Sequence, residues 1–259
     1  MDKIKIVFFD IDGTILPVGD ENFPIKITEA INKLHEKNIR VCLATGRAPV
    51  QFPDLSKVHI DTILAFNGSL CFDKNEDIFT NPLKKEDVLE IIKNAQNMGK
   101  PLGLAGKDRY LVNYYNDDLK EFFSFGDFVP ELNENIEEFA QNKKIYQMLM
   151  PIMKKDYDKA LECTDSTKIT AWWDRAVDII PKNGGKGQGV REVLSFYGIN
   201  KNEALAFGDG GNDIEMFEAI RGVAVENASK DLKEKAVDIC GSVDDFGVYY
   251  YLKDKGIIG

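Results

Sequence analysis

Residues 4–14, IKIVFFDIDGT, restrict the fold more than any other stretch of the chain. An apolar run over Ile4–Phe9 reads as a fully buried strand. It ends in two acids, Asp10 and Asp12, followed by a Gly-Thr turn. A strand that delivers two carboxylates to one spot needs a reason for doing so, since burying charge is costly.

The residues that follow repeat the pattern. Thr28–Lys37 carries apolar side chains at Ala30, Ile31 and Leu34, which is helical spacing. Val41–Ala44 and Thr62–Phe66 read as further short strands, ending in "TGR" and "NGS". Strand, helix and strand in alternation predict a parallel sheet with crossover helices, an α/β fold. Such sheets bind ligands beyond the carboxyl ends of their strands, so "DIDGT", "TGR" and "NGS" should share one edge. After Asn81 the texture changes. A helix over Val88–Ala95 is followed by aromatic-rich segments that read as antiparallel, half-exposed strands mixed with short helices. From Gly184 the first texture returns, with a helix over Val190–Tyr197, the strand "EALAFGD", two more strands and a closing helix around Gly247–Lys255. One domain, 1–81 and 183–259, is thus expected to be interrupted by an α+β module over 82–182, with hinges near Asn81-Pro82 and Lys182-Asn183.

Composition narrows the function. The 43 acids and 33 bases of the 259-residue chain give a formal charge of -10, which disfavours nucleic acid and anionic membrane surfaces as partners. No apolar run approaches the ~20 residues that span a bilayer, and the N-terminus lacks the pattern of a signal peptide. The four cysteines are widely spaced and three lie in apolar stretches, as expected of reduced core thiols in a cytoplasmic protein. The two histidines, His35 and His59, lie in surface-like segments, which argues against histidine-based catalysis.

Four polar clusters remain: Asp10/Asp12, Thr45-Gly46-Arg47, Lys186, and "GDGGND" over Gly208–Asp213. Carboxylates gathered in one cleft repel one another unless a cation sits among them, and a hard cation with oxygen ligands, Mg²⁺, suits them. Lysine, threonine and free backbone N–H groups suit phosphate oxygens. A carboxylate nucleophile beside such a cradle points to phosphoryl transfer through an aspartyl-phosphate. Competing motifs fail. An EF-hand loop from Asp10 would need glycine at Ile15, a Walker loop ending at Lys186 would need glycine at Ile180, and a dinucleotide loop would need glycine at Asp213.

"DIDGT", "TGR", "GGKGQG" and "GDGGND", in this order, resemble the four motifs of the haloacid dehalogenase superfamily of phosphatases, in particular its Cof-like, sugar-phosphatase branch. The resemblance implies a Rossmann-like core with an inserted α+β cap of the C2 (IIB) type. It implies that Asp10 is the nucleophile and Asp12 the general acid and base. Asp10, the backbone carbonyl of Asp12 and Asp209 would hold Mg²⁺, with Asp213 in support. Thr45, Gly46, Lys186 and Asn212 would bind the phosphoryl oxygens, with Arg47 beside them. Trp172, Trp173 and Arg175 are candidates on the cap for choosing the substrate. The expected partner is a small phosphomonoester, the expected state a monomer. A phosphomutase of the phosphomannomutase kind would need a more basic cap than one whose arginines are Arg109 and Arg175. A binding protein that kept the fold would not need Asp10, Asp12 and Asp209. One departure from the pattern is Glu226-Asn227-Ala228, where relatives often have Gly-Asn-Ala; Glu226 would disfavour anionic substrates if it pointed inward.

Overall fold

The computed structural model describes residues 3–171 and 173–259. Eight strands form the first sheet, in the order Asp238–Ile239, Arg221–Ala224, Ala204–Gly208, Ile6–Phe9, Arg40–Ala44, Thr62–Ala65, Leu70–Phe72 and Asp77–Thr80. The first six are parallel, and the last two fold back as an antiparallel hairpin. All four residues of Ile6–Phe9 are at most 2% exposed, so both faces of this strand are covered. That explains its unbroken apolar run. The helix Ile25–Glu36 buries Ile27, Ala30, Ile31 and Leu34, extending the expected helix by a turn at its start. The helix Lys186–Tyr197 opens after Gly185 and closes on Gly198 in the left-handed conformation.

Register positions the polar clusters. Phe9 lies beside Phe207 on one side and Leu43 on the other. The next residues, Asp10, Gly208-Asp209 and Ala44-Thr45, therefore emerge together. The chain runs from Ile6–Phe9 to Arg40–Ala44 on one side and from Ala204–Gly208 to Arg221–Ala224 on the other, which makes the boundary between Ile6–Phe9 and Ala204–Gly208 the switch point where parallel sheets open a crevice.

Residues 103–181 supply the second sheet, in the order Thr167–Thr170, Val177–Pro181, Gln147–Met150, Gly103–Ala105, Tyr110–Val112 and Glu131–Leu132. It is antiparallel except for its last pair. Its strands were expected to be half exposed; the four central ones are buried throughout. One face, with Leu104, Met148 and Ile179, packs on the helices Lys85–Asn97 and Ile136–Asn142. The alternate residues, Ala105, Tyr110 and Leu149 among them, pack with Ala48, Ala65 and Phe66 from the first sheet and its loops, as does Tyr146 just before the strand Gln147–Met150. Phe66 stacks on Tyr146 at 5.1 Å. The first sheet thus covers what would otherwise be the solvent face of the second. Where the chain passes between the sheets, the Asn81 Nδ2 donates to Asn183 Oδ1 at 3.2 Å.

Candidate active site

Asp10 is buried at the carboxyl end of the central strand. Its Oδ1 accepts a 2.6 Å bond from Lys186 Nζ and its Oδ2 a 3.3 Å bond from Thr14 Oγ1. Lys186 is completely buried and reaches Asp213 Oδ1, also at 2.6 Å. Asp213 in turn accepts from the backbone N–H groups of Asp209 and Gly210, which fixes the loop that carries Asp209. Gly13 has φ +76°, and a Cβ there would lie 2.5 Å from Asp209 Oδ2. Only glycine serves this position, on both counts.

The electrostatics are those of crowded acids. Burial raises Asp10 well above the ordinary carboxylate range; Lys186 opposes this, and Asp213, Asp209 and Asp12 add to it. Burial and Asp213 push Asp209 up to about 7. For Lys186, burial would lower the ammonium's pKa, but Asp10 and Asp213 together hold it above the ordinary lysine range. One lysine does not balance three acids. Asp10, Asp209 and Asp213 each place an oxygen within 4.8 Å of the others. This all-oxygen donor set with excess negative charge fits a hard divalent cation.

Asp12 faces the same cavity, and both its oxygens are held by Arg47, through Nη2 at 2.8 Å and Nε at 3.0 Å. Arg47 also bonds Glu21 at 3.1 Å and the Gln51 carbonyl at 2.8 Å. Thr45 Oγ1 accepts from the Arg47 N–H, which leaves the hydroxyl hydrogen free to be donated elsewhere. Asn212 Nδ2 donates to Asn67 Oδ1 at 3.0 Å.

Above this floor lies a cavity of about 150 Å³. Asp10, Asp12, Gly46, Arg47, Asp209 and Asn212 line it from below, whereas Lys186 and Asp213 lie beneath its surface. Trp173 and Arg175 do not line it. Trp173 packs behind the lining, against Phe125 with ring centroids 5.3 Å apart, and Arg175 lies over the Trp173 ring and pairs with Asp118 and Glu121. Trp172 lies outside the described residues. Glu226 is exposed and is not part of the lining. His35 and His59 stack on each other at 4.7 Å, and neither is part of the lining.

Several residues of the site do not stand out in the sequence: Glu21, Gln147, Asp178 and the rings of Tyr110, Phe122, Phe123, Phe125 and Phe128. Asn67 Nδ2 donates to Gln147 Oε1 at 3.0 Å and Asp178 Oδ2 at 3.2 Å, and Gln147 Nε2 donates to the Gly46 carbonyl at 3.0 Å. The available signal was a single polar residue in each of two apolar strands, "YQMLM" and "AVDIIP".

Comparison with known proteins identifies the family. Residues 7–252 match the family model of haloacid dehalogenase-like hydrolases. YkrA of Bacillus subtilis, provisionally named a phosphatase, is 28% identical over 256 residues, covering 98% of each chain. The 5-amino-6-(5-phospho-D-ribitylamino)uracil phosphatase YwtE of the same organism is 26% identical over 96% of this chain and 97% of its own. Among solved structures, the subclass IIB sugar phosphatase BT4131 superposes with a TM-score of 0.88 at 29% identity, over 98% of this chain and 100% of its own. With Asp10 at the end of the central strand, a buried lysine and an acidic loop meeting beneath the second sheet, the chain belongs to the haloacid dehalogenase-like hydrolases and is one of their phosphatases.

Proposed function

We propose that the protein is a Mg²⁺-dependent phosphatase of small phosphorylated metabolites, sugar phosphates foremost, acting through an aspartyl-phosphate on Asp10. The observation that carries this is the Asp10 carboxylate, held between Lys186 and Thr14 and open to a cavity that Asp12 shares. The names of YwtE and BT4131 support the substrate class. The core comprises 1–81 and 183–259, and 82–182 form the cap that closes over the site and excludes water.

An Asp10 oxygen attacks phosphorus as the bond to the leaving oxygen breaks. Asp12, in its acid form, gives its proton to that oxygen. Asp12 then takes a proton from the water that attacks the aspartyl-phosphate, the bond from phosphorus to Asp10 breaks, and phosphate departs. Lys186, the Thr45 hydroxyl, the Gly46 N–H and Asn212 bind the phosphoryl oxygens, with Arg47 alongside. Asp10, Asp209, the Asp12 carbonyl and, in support, Asp213 would hold Mg²⁺, which supplies positive charge where phosphoryl charge develops. Among the described residues no helix is long and apolar enough to cross a membrane. Burial raises the Cys42, Cys71 and Cys240 thiols, Cys240 to about 12, which suits thiols that stay reduced in the cytoplasm, and we read the protein as a monomer.

The test is phosphate release from a panel of phosphorylated metabolites, wild type beside Asp10→Asn. We expect Mg²⁺-dependent release that EDTA stops, and a loss of about 10³-fold or more in the variant. Near-wild-type turnover by Asp10→Asn would refute the nucleophile, and indifference to EDTA would refute the metal.

A further inference from the structure

The roof of the cavity is unlike its floor. Five aromatic rings contribute to it, and two polar side chains, Gln147 and Asp178, reach it from the second sheet. Asp178 pairs with Leu149 across the strands, so both point toward the first sheet. Leu149 shows what packing alone would select there, since an aspartate buried to 7% exposure costs stability unless it is well satisfied. The partner seen for Asp178 is the Asn67 amide at 3.2 Å, which Gln147 shares. Among the described residues lining the cavity, Arg47 is the one cation, and Asp12, Glu21 and the Gln51 carbonyl already engage it. The roof therefore offers an acceptor and apolar ring faces, and no charge that would bind a second anion.

We propose that Asp178 is a specificity-determining residue: it accepts a hydrogen bond from a hydroxyl of the leaving group, whose apolar face rests on the aromatic roof, and it turns away leaving groups that carry a second phosphate. This rests on the phosphatase reading above. A neutral hydroxyl satisfies the buried carboxylate, whereas a second phosphate would meet it without a counter-charge.

Three substrates test this with Mg²⁺ present: a hexose 6-phosphate, the corresponding hexose bisphosphate, and acetyl phosphate, which has no hydroxyl to offer. For the wild type we expect kcat/KM to favour the monophosphate over the bisphosphate by tenfold or more. The preference for hexose 6-phosphate over acetyl phosphate should fall at least tenfold in Asp178→Leu and by less in Asp178→Asn, which keeps an acceptor oxygen. In Asp178→Asn the discrimination against the bisphosphate should shrink as well. Unchanged ratios in both variants would overturn the inference while leaving the phosphatase intact, because acetyl phosphate reports the chemistry separately. Equal turnover of mono- and bisphosphate by the wild type would overturn it even if neither variant folds. Failure of the wild type on all three would sink this inference together with the reading beneath it.

Discussion

At the scale of single residues, Asp178 makes a claim on stability that is independent of catalysis. Burial pushes it up to about 7, against the pull of the Asn67 amide and of Lys186. Tyr110 also senses its charge and lies raised for burial and for that reason. A carboxyl in the unfolded chain titrates near 3.8, so the folded state binds this proton more tightly. Its contribution is complete below about pH 4 and is lost as the pH rises toward about 7. With Mg²⁺ held constant, Asp178→Asn should therefore gain stability relative to wild type between about pH 5 and pH 8, by up to a few kcal/mol. Urea unfolding at both pH values measures it, and a pH-independent difference would contradict it. The same residue shows what the sequence could and could not reveal. Asp10, Lys186 and Asp209 were legible because each sits in a short motif whose residue types suit only a few chemistries. Asp178 and Gln147 are single polar residues within apolar strands. Which face they occupy depends on strand register, and which face is a cavity depends on the other sheet.

At the scale of elements, the connection after strand Thr62–Ala65 is what ties the two sheets together. Phe66, Asn67 and Gly68 all have positive φ, at 52°, 52° and 84°. Two successive non-glycine residues in that region are strained, and the strain is accepted where the surroundings require it. Here the turn sends the Asn67 side chain up to Gln147 and Asp178 while its N–H bonds the Thr45 carbonyl. Gln147→Leu would remove two of the links that join the sheets, at a cost of about 1–3 kcal/mol. We expect faster amide exchange and easier proteolysis near Asn81-Pro82 and Lys182-Asn183, with KM raised more than kcat lowered. Unaltered exchange there would show that the apolar contacts around Phe66 and Tyr146 hold the sheets by themselves. These contacts also account for the misjudged exposure of the second sheet. Its strands carry apolar residues at both alternations, as in Met148, Leu149 and Met150, because each face has its own cover. A strand read in isolation does not disclose a second cover that comes from residues 80 positions away.

At the scale of the whole molecule, the chain completes its second sheet before its first. Strands within 103–181 pair among themselves, whereas Ile6–Phe9 has one neighbour at Arg40–Ala44 and the other only at Ala204–Gly208. Each unit has an apolar cluster of its own. A fragment of residues 82–182 should accordingly unfold cooperatively, while one of residues 1–182 should expose an apolar strand edge, bind hydrophobic dyes and aggregate. Dye binding and sedimentation of the two fragments decide this, and a monomeric, dye-silent 1–182 would count against it. The bond between Lys186 and Asp10 spans 176 positions of sequence, and this gives synthesis an order. During synthesis Asp10 precedes the lysine that balances its charge by 176 positions, and the acids at 209 and 213 follow later still. On the phosphatase reading, a nascent chain that still lacks Lys186 and the acidic loop should therefore release no phosphate from phosphorylated metabolites.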